Sequence, residues 1–190
     1  MGEVLVWTDG ACQRNPGPGG WAALVCWQDG VVEEYSGGLA QTTNNVMEMI
    51  AALEGLRALP SGSRACIVTD SRYLHDGMTS WLAGWKRKDW KTASGDPVKN
   101  KEIWVQLDVA ASDHEQVRWH WIKGHIGHAL NERADALAVA ATRHAGLRRT
   151  WSAALSQAPT KRDCELAKQA SGEPASLWTG DAAPGTLPGR

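Results

Sequence analysis

Val4-Leu5-Val6-Trp7-Thr8-Asp9 is a short apolar run closed by a carboxylate, and Ala65-Cys66-Ile67-Val68-Thr69-Asp70 repeats the design further along. Both read as buried strands that end in a polar turn. If the two are neighbours in one sheet, both aspartates emerge at the same edge. Between them, Val46, Met49, Ile50, Leu53 and Leu56 recur at helical spacing and predict a helix over 44–59. Thr42, Thr43, Asn44 and Asn45 offer N-caps for it, and Pro60 stops it. Glu48 lies one turn into this helix and shares a face with Ala52 and Gly55. Small residues on that face let the helix approach the sheet closely and carry Glu48 towards the aspartates.

Outward from this nucleus, Asn15-Pro16-Gly17-Pro18-Gly19-Gly20 reads as a turn or loop. Trp21 to Trp27 reads as a second strand. Asp29-Gly30 is a hairpin signal before a third strand, Val31 to Tyr35, which Gly37-Gly38 closes. Helices are predicted over 71–82, 101–112 and 131–143, and a fifth strand over 117–122. The class is α/β. Residues 1–148 read as one catalytic domain. Residues 151–190 hold four Leu and no Ile, Val or Phe, with four Pro and four Gly. Such a segment buries too little to offset its chain entropy, so 149–190 is expected to be a mostly disordered tail, with a short helix near 162–170.

The 190 residues are 43% hydrophobic and 22% charged with a net charge of −1. That composition builds a globular core and excludes nucleic-acid binding by bulk positive charge. No apolar run is long enough for a membrane helix, and no signal peptide is expected. Cysteines at 12, 26, 66 and 164 have no zinc-type spacing, and a reducing cytoplasm suits them. The aromatic residues are eleven Trp and two Tyr with no Phe. Trp81, Trp85 and Trp90 interleave with Lys86, Arg87, Lys88, Lys91, Lys99 and Lys101, against only Asp89 and Asp96. Cations meet phosphates and Trp faces meet sugars or bases in such a segment. Equally, Trp81 and Trp85 at i and i+4 suit a helix face packed on the core.

Asp9, Glu48, Asp70 and Asp135 together suggest one acidic site. Four converging carboxylates repel unless a cation neutralises them, and oxygen-only ligands select a hard ion such as Mg²⁺ or Mn²⁺. Taken singly, Asp9 and Asp70 could be strand-end turn formers. Glu48 could cap its own helix by reaching back to Asn45, and Asp135 could be a solvated helix residue.

Five motifs, in order over residues 3–145, resemble type 1 ribonuclease H. They are Trp7-Thr8-Asp9-Gly10-Ala11-Cys12 with Asn15 to Gly20; Thr42-Thr43-Asn44-Asn45-Val46-Met47-Glu48; Thr69-Asp70-Ser71; Trp121-Ile122-Lys123-Gly124-His125; and Asn131-Glu132-Arg133-Ala134-Asp135. The resemblance implies a ribonuclease H-like fold, a five-stranded mixed sheet flanked by helices. It implies an endoribonuclease that cuts the RNA strand of RNA/DNA hybrids, leaving 5′-phosphate and 3′-hydroxyl ends. Asp9, Glu48, Asp70 and Asp135 become the ligands of Mg²⁺ or Mn²⁺, two ions with substrate bound, and His125 the proton-transfer group of a mobile loop. Cys12, Asn15, Thr43, Asn44, Asn45, Trp81, Trp85, Lys86, Arg87, Lys88, Trp90 and Asn100 become substrate-binding positions. A cytoplasmic monomer is expected. An inactive hybrid-binding module would lack a carboxylate, and all four are present. A transposase-like DNA nuclease would not need the Asn set that suits a 2′-hydroxyl, or the basic handle.

Overall fold

A computed structural model describes residues 2–124 and 127–143 and the backbone of 149–152. Its strands are β1 (Val4–Cys12), β2 (Gly17–Cys26), β3 (Val32–Thr42), β4 (Arg64–Thr69), β5 (Gln116–Trp121) and β6 (Arg149–Ser152). The helices are α1 (Asn44–Arg57), α2 (Arg72–Asp76), α3 (Leu82–Arg87), α4 (Lys101–Ser112) and α5 (Ala129–Thr142), with a π-helical turn, Gly77–Trp81, joining α2 to α3. The sheet order is β5-β4-β1-β2-β3-β6. β1, β2 and β3 form an antiparallel meander, while β4 lies parallel to β1 and β5 parallel to β4.

The strand alternation of β1 sorts the core into two layers. Val6 points to one face, where it packs with Leu53, Leu56, Ile67, Leu74, Trp104 and Leu107 beneath α1 and α4. Trp7 points to the other, with Leu24, Val68, Ile122, Leu130 and Ala134 beneath α5. Buried Cys26 and Cys66 belong to this second layer. Trp7, Trp21 and Trp104 are core residues, so part of the Trp-rich composition replaces Phe in packing.

The five expected strands are all present, and several details differ. β1 does not end at Asp9 but runs to Cys12, because residues 9–12 keep their pairing with β2. The Pro/Gly stretch is a loop only to Pro16. From Gly17 onward it is β2, with Gly19 opposite Cys12 and Gly20 opposite Ala11. A Cβ at Gly20 would lie 2.1 Å from the Ala138 carbonyl oxygen, so a bare backbone seats α5 on this strand. Gly37 and Gly38 do not close β3 but pair with Trp21 and Gly20 inside the sheet. The helix expected over 71–82 continues to Arg87 through the π-helical turn. The sheet also takes in β6, which pairs antiparallel with β3 from Ser36↔Arg149 to Glu33↔Ser152, just past the expected boundary at 148. The tail beyond it, including the helix expected near 162–170, lies outside the described residues.

α1 sits close on the sheet for the reason its small face suggests. A Cβ at Gly55 would lie 2.6 Å from Val6 Cγ1 and 3.3 Å from Ala23 Cβ. Gly55→Val should therefore push α1 off β1 and cost about 1–3 kcal/mol of stability, as overpacking does. Urea unfolding measures this, and an unchanged midpoint would show that α1 does not bear on the sheet there.

Candidate active site

Because β1 and β4 are parallel with Thr8 opposite Thr69, Asp70, just past the end of β4, comes to lie beside Asp9, which is still inside β1 and pairs with Ala22 of β2. The first turn of α1 presses on the next residue of β1: a Cβ at Gly10 would lie 2.4 Å from the Glu48 backbone nitrogen. This brings Glu48 to the pair. One carboxylate oxygen each from Asp9, Glu48 and Asp70 lies within 4.8 Å of the others. Asp9 and Glu48 are buried and Asp70 is half-buried. Asp135, on α5, lines the same open cavity of about 580 Å³ but stands outside that tight group.

The electrostatics follow from burial and crowding. Loss of hydration pushes the Asp9 carboxyl up to about 7, with the charges of Asp70 and Asp135 adding to it and the Gly10 N–H, 2.7 Å from Oδ1, opposing it. Burial likewise raises Glu48 well above the usual carboxylate range, reinforced by Asp9 and Asp70. Glu48 Oε1 accepts a 3.4 Å bond from Asn44 Nδ2, while Oε2 is buried without a hydrogen-bond partner among the described residues. Glu48 thus serves the acidic group rather than capping its helix. All-oxygen donors, partly desolvated and without an ion pair among the described residues, fit a hard divalent ion.

The other expected positions divide. Cys12, Asn44 and Asn45 line the cavity. Asn15 Oδ1 accepts from the Asn44 backbone N–H at 3.2 Å, tying the loop before β2 to the head of α1. Thr43 is the N-cap of α1, its Oγ1 accepting from Val46 N at 3.4 Å. Farther along, Trp81 is 39% exposed, whereas Trp85 and Trp90 pack against the main core. Ring centroids run from Trp81 to Trp85 at 5.6 Å and on to Trp104 at 5.5 Å, and Tyr73 closes the set at 5.3 Å from Trp104 and 6.1 Å from Trp81, so Trp81 is the exposed member of an aromatic cluster anchored on buried Trp104. Lys86 Nζ is held by Asp108 Oδ2 at 2.6 Å. Arg87 and Lys88 are exposed and form no ion pair among the described residues. Asn100 precedes α4 in a left-handed conformation, its Nδ2 3.5 Å from the Tyr73 hydroxyl. His125 lies outside the described residues.

Two cavity residues escape a reading based on acidic groups. Arg72 and Tyr73 line the cavity just beyond Asp70. The Arg72 guanidinium carbon sits 3.9 Å from the Trp121 ring centroid, and the Trp121 indole N–H donates to the Asp70 carbonyl at 2.9 Å. The adjacency of Arg72 to the strand-end Asp70 was the available signal, but only the fold lays it over Trp121.

A family model described as RNase H matches residues 1–143. The chain belongs to the RNase H family. It is similar to the ribonuclease H of Dinoroseobacter shibae, 54% identical over 142 residues that cover 73% of this chain and 90% of that one. Among solved structures it resembles LC9-RNase H1, a type 1 RNase H with the type 2 active-site motif. That match has a TM-score of 0.71 and 31% identity, covering 85% of this chain and 84% of the other. It shares its fold with LC11-RNase H1, solved in complex with RNA/DNA hybrid, at a TM-score of 0.57 and 20% identity over 74% of this chain and 97% of that one. As a type 1 bacterial member of the family, the chain is a hydrolase, an endonuclease that cuts the RNA strand of RNA/DNA hybrids.

The raised Asp9 carboxyl makes a stability prediction. Its ordinary value is 3.8, so between about pH 4 and 7 the folded chain holds a proton that the unfolded chain releases, and stability falls as pH rises. With metal chelated at pH 8, Asp9→Asn should raise the melting temperature by several degrees, since 1 kcal/mol corresponds to roughly 2–4 °C in a chain of this size. It should also flatten the pH dependence of stability between 4 and 7, and in a separate assay with Mg²⁺ present it should abolish cleavage. A melting temperature at or below that of the parent would show that Asp9 is under no such strain.

Proposed function

We propose that Asp9, Glu48 and Asp70, with Asp135 at the cavity wall, hold Mg²⁺ during hydrolysis, with Mn²⁺ as a substitute and two ions when the hybrid is bound. The observation that carries this is three carboxylate oxygens within 4.8 Å of one another in an open cavity. When bound, such ions supply the positive charge and Lewis acidity that phosphodiester hydrolysis needs. The chain's own contribution is to hold Asp9 and Glu48 in a poorly hydrated place where each prefers a proton or a cation to bare charge. His125, the histidine of the Lys123-Gly124-His125 motif, is our candidate for moving the proton required at the leaving 3′ oxygen.

Asn15, Asn44, Asn45 and Cys12 are proposed to meet the hybrid at the cavity rim, where neutral hydrogen-bonding groups can read a 2′-hydroxyl or a base edge without adding charge. Trp81, Arg87 and Lys88 are proposed as the outer contacts, with Trp85, Trp90 and Asn100 supporting them. Lys86 contributes less because Asp108 already neutralises it. Thr43 combines its capping role with a contact to the DNA phosphate. No helix among the described residues is long and apolar enough to cross a membrane. We read the protein as a cytoplasmic monomer: its buried thiols suit a reducing compartment, and one chain supplies every proposed metal ligand.

Cleavage of a labelled hybrid, beside duplex DNA and duplex RNA, tests the reading. Only the hybrid should be cut, and chelation should stop it; cutting that survives chelation would overturn the metal reading. His125→Ala should slow turnover on the order of 10–10³-fold with hybrid binding intact, since one proton-transfer group typically contributes about 10²–10⁴. An unchanged rate would remove His125 from the mechanism. Replacing Arg87 and Lys88 with Ala should raise KM more than it lowers kcat and flatten the salt dependence of binding by about two phosphate contacts. If the salt slope does not move, this patch does not touch phosphate.

A further inference from the structure

The side of Asp70 facing α5 is built from groups that neither the acidic cluster nor the substrate rim requires. Asn131 stands in the first turn of α5 and is 2% exposed. Its Nδ2 lies 3.4 Å from Asp70 Oδ2, and its Oδ1 is buried without a hydrogen-bond partner among the described residues. Its neighbours Leu130 and Ala134 are core residues, so an apolar side chain would suit the packing better. A buried amide kept with one end unsatisfied lowers stability, and such costs are retained where they serve a site. Asn131 and Asp135 are four residues apart, so the helix that brings Asp135 to the cavity brings Asn131 on the same face.

Two further contacts leave Asp70 little freedom. The Trp121 indole fixes its carbonyl at 2.9 Å. Main chain walls off its carboxylate, since a Cβ at Gly124 would lie 2.4 Å from Oδ2. Asn131 is then the one side chain among the described residues that donates a hydrogen bond to this carboxylate. The residue type matters. An Asp there would repel Asp70, and a Lys or Arg would neutralise it and compete with a bound ion. A neutral amide orients the carboxylate and leaves its charge available.

We propose that Asn131 is the positioning residue of Asp70: its amide holds the carboxylate in the orientation that lets it share a divalent ion with Asp9 and Glu48. This rests on the metal-site reading above and adds the residue that sets the affinity. Mn²⁺ binding to the metal-free full chain by calorimetry is the test, with Mg²⁺ dependence of hybrid cleavage beside it. Asn131→Ala should weaken Mn²⁺ binding by about 10–100-fold, as loss of a partner behind a metal ligand does. It should shift half-saturating Mg²⁺ upward similarly, with KM for hybrid unchanged and cleavage recovering at high Mg²⁺. In an Asp70→Asn background the same substitution should weaken Mn²⁺ binding no further. Asn131→Ser keeps a donor in a shorter side chain, should fall between parent and Asn131→Ala, and carries the measurement if Asn131→Ala does not fold. Unchanged Mn²⁺ affinity in these variants, or an equal further loss in the Asp70→Asn background, overturns the inference alone. Absence of saturable Mn²⁺ binding by the unaltered chain overturns the metal-site reading and this inference together.

Discussion

Mutual repulsion among Asp9, Glu48 and Asp70 is the constraint around which the domain is arranged. Left to themselves, three carboxylates within 4.8 Å would separate or take up protons. They stay together because each is anchored where the backbone cannot move. Asp9 is inside the central strand, Asp70 is at the end of the parallel neighbour, and Glu48 is on a helix pressed against Gly10. Burial of Val6, Leu53, Leu56 and Ile67 between α1 and the sheet supplies the free energy that offsets the repulsion. Part of that cost remains as the upward displacement of Asp9 and Glu48, and this same displacement favours a cation in the cavity.

The second face of the sheet completes the arrangement. α5 lies on β1, β2 and β3 and is pinned at several points along its length. Asn131 reaches Asp70 near its start, Arg133 forms a bidentate pair with buried Glu34 at 2.8 and 2.9 Å, and Thr142 accepts from Gln13 Nε2 at 2.8 Å near its end. Glu34 holds the Arg133 guanidinium firmly in its charged form. With the helix axis fixed this way, Asp135 is delivered to the cavity wall rather than to solvent.

The aromatic residues show how one composition serves two purposes. Trp104 of α4, Trp85 and Tyr73 form a packed aromatic cluster, and Trp81, in ring contact with both Tyr73 and Trp85, is its exposed member. A rigid, well-packed base holds an exposed Trp in a defined orientation, which lowers the entropy it would lose on stacking against a ligand. Sequence spacing alone could not divide these tryptophans, because i and i+4 positions share a helix face whether that face meets core or solvent.

Legible in the residues alone were the two apolar strands that carry Asp9 and Asp70, the helix that carries Glu48, the basic aromatic segment and the order of motifs that marks the family, although β1 runs past Asp9 to Cys12. Local pattern suffices for these because alternation, helical period and capping are properties of neighbouring residues. Strand formation at Gly17 to Gly20 and through Gly37-Gly38 was not legible there, since glycines signal turns locally and here serve close packing between layers. No local pattern tells that three of the carboxylates form the tight group while Asp135 stands at the wall, that Asp108 occupies Lys86, or that Arg72 stacks on Trp121; these came from the folded chain. The same holds for Asn131, which sits inside a motif already visible and turns its amide to Asp70. Each of these joins residues far apart in the chain, and their distances are set by sheet order and helix seating, which no local window contains.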